Sequence, residues 1–114
     1  ERIFDRYDFI STPTMAIPAF KCNERPFFEN GKIKFKDLDD GYYDYSNWNI
    51  HLTQFTALFN WSGNPAAALP CGFSSSGLPV SLQIIGKKED EVGVLQASRA
   101  FEKVKPWHDY YPHI

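Results

Sequence analysis

Residues 59–86, "FNWSGNPAAALPCGFSSSGLPVSLQIIG", contain the end of a helix, two β-prone runs and the turn between them. "AAALPCGF" and "LPVSLQIIG" read as two strands joined by a loop over residues 72–77, where serine and glycine are ordinary turn formers. In the second strand Val80, Leu82 and Ile84 fall on one face and Ser81, Gln83 and Ile85 on the other, so one face belongs to a core and the other is only partly covered. The small alanines of the first strand allow a helix to approach the sheet closely.

Outward from this hairpin the signals are helical. On the N-terminal side a helix is expected over residues 46–61, with Ser46 as its N-cap and Trp48, Leu52, Phe55 and Phe59 on one face. Gly63 and Asn64-Pro65 end it, since glycine accepts the left-handed C-terminal conformation and proline cannot continue the ladder. On the C-terminal side Glu89, Asp90 and Glu91 suit the positive end of a helix dipole. Val94, Ala97, Ser98 and Phe101 then repeat at helical spacing until Pro106. The aromatic tail "WHDYYPHI" is expected to lie against the body.

Further upstream, "YDFIST" is a short β-prone run ended by Pro13. Residues 15–28 carry Pro18 and Pro26 without helical periodicity and read as a long loop. In "GKIKFKD" Ile33 and Phe35 alternate with Lys32, Lys34 and Lys36, a strand with lysines on its outer side. "DLDDGYYDY" reads as another loop. The expected fold class is α/β, with sheet strands and packing helices in one segment of 114 residues and no internal domain boundary.

Composition sets the outer limits. A chain that is 43% hydrophobic and 23% charged folds rather than stays disordered, and its net charge of -2 gives no electrostatic reason to expect nucleic acid. No stretch approaches the ~20 apolar residues of a membrane helix. Cys22 and Cys71 belong to no metal-ligand spacing and are expected as reduced thiols, which suits a cytoplasmic protein.

No complete active site emerges from the residue types. "GFSSSGLP" lacks the strand-turn-helix context of a nucleophilic serine, so Ser74, Ser75 and Ser76 read as turn residues. His51, His108 and His113 have no ligand partners at metal-site spacing, and the aspartates near residue 40 lack a calcium-loop register. No cofactor is expected. From the residues alone, a non-catalytic binding or docking module stays open beside an enzyme.

A longer pattern narrows this choice. Asn60, Gly63, Pro65 and Ala66, then Pro70 and Gly72, then Gly77, Leu78, Pro79, Gln83 and Gly86, then Asp90 and Glu91 together resemble the C-terminal segment of the amidase signature family. "YDFISTPTMAIPA" resembles that family's Tyr-Asp, strand, Thr-Pro-Thr segment. Ser81 departs from the glycine that the family usually carries there. The resemblance implies a C-terminal portion of a larger α/β/α fold that hydrolyses amides through a serine nucleophile, a second serine in a cis peptide and a lysine base. No residue here matches those three, so this chain is expected to be inactive alone. Its implied partners are the missing N-terminal part of the same enzyme and a small amide substrate, with self-association of the isolated chain. Thr12, Pro13, Thr14, Asn60 and Gly63 are the expected substrate-pocket positions.

Overall fold

The computed structural model describes residues 2–37 and 52–110. A 3-10 turn at Arg2–Asp5 leads into β1 (Phe9–Pro13). After a loop come β2 (Glu24–Glu29) and β3 (Lys32–Asp37), then α1 (Ala57–Ser62), β4 (Ala66–Phe73), β5 (Pro79–Gly86) and α2 (Glu91–Val104). β1, β5 and β4 form a three-stranded sheet in that order, and β2 and β3 a separate two-stranded ribbon. Every pairing is antiparallel.

The β4–β5 hairpin forms over the expected residues, but Gln83, Ile84 and Ile85 are all buried, so both faces of β5 are covered at this end instead of one, by α2 on one side and the segment before α1 on the other. The Ser74 amide donates to the Leu78 carbonyl at 2.8 Å and the Gly77 amide to the Ser74 carbonyl at 3.0 Å, closing the turn. β5 is the central strand, flanked by β1 with Thr12 opposite Gln83 and by β4 with Ala68 opposite Gln83. Leu69, Ile84 and Ile85 are buried, Ile85 completely. α2 packs on this sheet through Val94, which is 4% exposed. Its first turn is capped by the Asp90 carboxylate, which accepts from the Gly93 amide at 3.1 Å.

Gly86 sets how closely α2 approaches. A β-carbon there would sit 2.7 Å from Val94 Cγ2, so the helix rests directly on the strand backbone. The same residue closes the sheet end, because its amide donates to the Pro65 carbonyl at 3.0 Å and its carbonyl accepts from Asn64 Nδ2 at 2.8 Å.

Two expectations need correction. The long loop expected over residues 15–28 ends early, because β2 occupies Glu24–Glu29 and pairs with β3. Asn30 and Gly31 both take positive φ, 52° and 72°, the two-residue turn whose twist matches a hairpin. Pro26 is tolerated because it lies three positions from Glu29, at a pair that exchanges no backbone hydrogen bonds, so its missing N–H costs nothing.

The continuous helix expected up to Trp61 is also interrupted. Leu52 and Thr53 are helical, residues 54–56 form a turn, and α1 begins at Ala57. The Thr56 amide and hydroxyl both return to the Thr53 carbonyl, at 2.9 and 3.2 Å, tightening the chain to an i→i+3 turn. The Phe55 carbonyl is taken by the side chain of Gln83, so it no longer serves a helical ladder. Ser46 and Trp48 lie outside the described residues. So does the end of the aromatic tail, whose described part does meet the body: the Phe73 and Tyr110 rings are 5.6 Å apart and those of Phe101 and Trp107 6.4 Å.

Several large apolar side chains stand exposed among the described residues, including Leu58, Val92, Leu95 and Val104. Trp61, the last aromatic of α1, is 89% exposed.

Candidate functional site

β1 leaves the sheet at Pro13, and the Thr14 amide makes a last bond to the Ser81 carbonyl at 3.1 Å. Beyond it the chain turns away with Pro18 in its path. The result is a groove of about 600 Å³ between residues 11–20 on one side and Cys71 with residues 79–82 on the other. Thr12 and Pro13 line it, as do Met15, Ile17, Phe20, Val80 and Leu82. Its polar lining residues are Ser11, Thr12, Ser81 and Cys71, whose thiol donates to the Val80 carbonyl at 3.6 Å. Cys22 is exposed, and both thiols are free. Among the described residues that line it there is no aspartate, glutamate, lysine, arginine or histidine.

Gln83 ties together the strands that carry the groove. Its side chain is buried on the sheet face opposite Val80 and Leu82, the residue being 5% exposed, and Nε2 donates to the Phe55 carbonyl at 2.9 Å and to Thr12 Oγ1 at 3.3 Å. One amide therefore ties β1, β5 and the segment before α1 together, and holds the Thr12 hydroxyl in a fixed orientation. Buried polar groups of this kind specify a unique arrangement when they are fully paired.

The expected pocket residues separate into two places. Thr12 and Pro13 are on the groove wall, whereas Thr14 is not among its lining residues and has its Oγ1 buried without a hydrogen-bond partner among the described residues. Asn60 and Gly63 are not among the lining residues. Asn60 is exposed on α1, and Gly63 is the C-cap, at φ 70° with its amide donating to the Phe59 carbonyl at 2.9 Å. The sequence gives residues 15–20 no element, because Met15, Ile17 and Phe20 have neither helical nor strand periodicity. Gln83 stands out there as part of a pattern, but its bond to a carbonyl 28 positions away has no local signal.

The serine-rich turn is built differently from a nucleophile site. Ser74 Oγ accepts from the Leu78 amide at 3.1 Å and lies 2.9 Å from Ser76 Oγ. These contacts hold the turn, and neither supplies a base to withdraw a proton. A second depression, of about 1010 Å³, lies between the hairpin end and the tail after α2, against Phe73, Trp107 and Tyr110.

The mixed α/β arrangement and its groove place the chain among α/β proteins. The family model described as Amidase matches residues 1–95, and the chain belongs to this family, the amidase-signature enzymes. It is 44% identical over 113 residues to a Glutamyl-tRNA(Gln) amidotransferase subunit from Thermodesulfovibrio yellowstonii, covering 98% of this chain and 20% of that protein. It is 38% identical to the subunit of the same name from Halalkalibacterium halodurans, over 100% of this chain and 20% of that one. Among solved structures, a bacterial aryl acylamidase of the amidase signature family superposes with a TM-score of 0.72 at 32% identity, covering 96% of this chain and 21% of that one. The corresponding Glutamyl-tRNA(Gln) amidotransferase subunit from Thermotoga maritima gives a TM-score of 0.63 at 26% identity, covering 93% of this chain and 19% of that one. The chain thus spans about a fifth of the length of the relatives it matches. No helix among the described residues is long and apolar enough to cross a membrane.

Proposed function

We propose that this chain is the C-terminal part of a cytoplasmic amidase-signature enzyme that cleaves carboxylic amide bonds through an acyl-serine intermediate. The observation that carries the reading is the match of the Amidase family model to residues 1–95, beside a groove that offers shape and apolar contact. Serine-based acyl transfer requires a base within hydrogen-bond reach of the nucleophile and donors for the oxyanion. In this reading the rest of the polypeptide supplies the serine, the cis-peptide serine and the lysine, and this chain supplies sheet strands and one wall of the substrate pocket. Thr12 and Pro13 form that wall with Thr14 next to them in the chain, while Asn60 and Gly63 approach the substrate from the end of α1 once the rest of the fold is in place.

The exposed apolar side chains Leu58, Trp61, Leu95 and Val104 support the same division, since an enzyme core seated on them would bury them. Among the described residues β1 and β4 are the outer strands, and their edges suit continuation of the sheet. The isolated chain is then inactive and associates with itself through the uncovered faces. Whether the acyl group passes to water or to a second substrate is decided by the remainder. The relatives include both an aryl acylamidase and amidotransferase subunits.

A fluorophosphonate, which phosphonylates activated serines, tests the assignment. In the full-length polypeptide the label is expected on a serine outside these 114 residues, with loss of amide hydrolysis. Stoichiometric labelling of Ser74, Ser75 or Ser76 would overturn the reading.

A further inference from the structure

We infer that the depression between the β4–β5 hairpin and the tail after α2 binds an aromatic carboxylate, with the ligand's ring against Phe73, Trp107 and Tyr110 and its anionic group on Lys105.

The depression holds about 1010 Å³, the size of a small-molecule site. The end of β4 and the start of β5 form one wall, and residues after α2, outside the stretch 1–95 that the family model matches, form the other. Two of the rings that line it are held by ring contacts: Trp107 packs on Phe101 of α2 with centroids 6.4 Å apart, and Tyr110 meets Phe73 edge-on at 5.6 Å. Rings fixed in this way lose little freedom when a ligand ring joins them, and offset or edge-to-face contact with a third ring is favourable. Pro70 and Pro79 complete the apolar part of the lining.

The charge comes from Lys105, at the C-cap of α2. The β4–β5 register shifts between Pro70 and Gly72, and Gly72, at φ 154°, brings no side chain into the space. Lys105 Nζ reaches to 3.9 Å from where a β-carbon of Gly72 would stand, so the ammonium lies over the strand and among the lining residues. Among the described residues it has neither an ion pair nor a hydrogen bond. The other charged lining residue, Asp109, has its carboxylate 3.8 Å from His108 Nε2. One unpaired ammonium beside aromatic walls suits an anion that brings a ring with it, through a charge-assisted hydrogen bond. The nearby Asp109 charge repels a dianion such as an aryl phosphate more than a carboxylate monoanion.

Isothermal titration of the full-length protein with phenylacetate, acetate and benzyl alcohol tests the site. A Kd of about 1–10 mM or tighter is expected for phenylacetate, with acetate and benzyl alcohol each at least about fivefold weaker. Lys105→Met, which keeps the length of the side chain and removes its charge, is expected to weaken phenylacetate about fivefold, and Lys105→Arg to retain it. Tyr110→Ala, at a position 68% exposed, is expected to weaken it to a similar extent, with the unfolding midpoint of each variant measured alongside. No binding of phenylacetate at about 50 mM, equal binding of benzyl alcohol or acetate, or a phenylacetate affinity indifferent to Lys105→Met and Tyr110→Ala would each overturn the inference. Any of these results leaves the amidase reading untouched, because the labelling experiment above tests that reading separately.

Discussion

Replacing Gly86 by alanine tests the closest approach in the fold. The new methyl would lie 2.7 Å from Val94 Cγ2, with the Asp90 carbonyl at 3.4 Å and Pro65 Cγ at 3.6 Å closing the way around it. Carbon-carbon contacts settle at about 3.5–4.0 Å, so Val94 or the helix must retreat by roughly 1 Å. Val94 is 4% exposed and has no open side to move into. Overpacking of this kind costs about 1–3 kcal/mol. Val94→Ala alone loses buried methyl groups and also destabilises, by about 1–3 kcal/mol. If the clash is the mechanism, the two changes do not add: in the Gly86→Ala background the shorter side chain relieves the overlap, giving a coupling of about 1–2 kcal/mol in the relieving direction. Denaturant unfolding of the four full-length proteins measures it. A Gly86→Ala cost below about 0.5 kcal/mol, or simple additivity with Val94→Ala, would refute the close-packing argument.

Further outcomes follow from the same contacts. Gln83→Leu removes two hydrogen bonds and strands the Phe55 carbonyl, so a loss of about 2–4 kcal/mol is expected, with faster amide exchange around residues 55–60; a neutral result would separate Gln83 from the clasp. Gly31→Val forces a β-branched side chain into a φ of 72° and is expected to raise amide exchange throughout β2 and β3 while sparing β5. Asp90→Ala removes the cap of α2 at a cost of about 1 kcal/mol in unfolding free energy. Gly93→Ala, ordinarily a gain of up to ~1 kcal/mol in a helix, is expected to yield none in thermal unfolding, because its methyl would lie 2.4 Å from Asp90 Oδ2.

The hairpin and α2 are legible in the sequence because their signals are local. Alternation over residues 80–85, a serine-glycine turn and an acidic N-cap each act within a few positions. β2 is hidden because Pro26 argues against a strand, although the two-residue turn Asn30-Gly31 carries the stronger information and an open ribbon has room for a proline. The break before α1 has no local cause to read, since the side chain that takes the Phe55 carbonyl comes from β5. Half of the groove shows the same limit. Thr12 and Pro13 stand out through the Thr-Pro-Thr corner, whereas Met15, Ile17 and Phe20 become a wall only when the chain leaves the sheet and folds back over residues 79–82. Asn60 and Gly63 stand out as helix-end residues, and in the described structure their backbone does perform that task.

Reconstitution tests the division of labour most directly. This 114-residue chain, the remainder of the polypeptide and an equimolar mixture of the two would each be assayed for ammonia release from hexanamide and phenylacetamide. The expected result is no turnover by either piece alone and turnover by the mixture, abolished when the mixture is treated with a fluorophosphonate. Turnover by this chain alone would contradict the assignment of the chemistry to the rest of the enzyme.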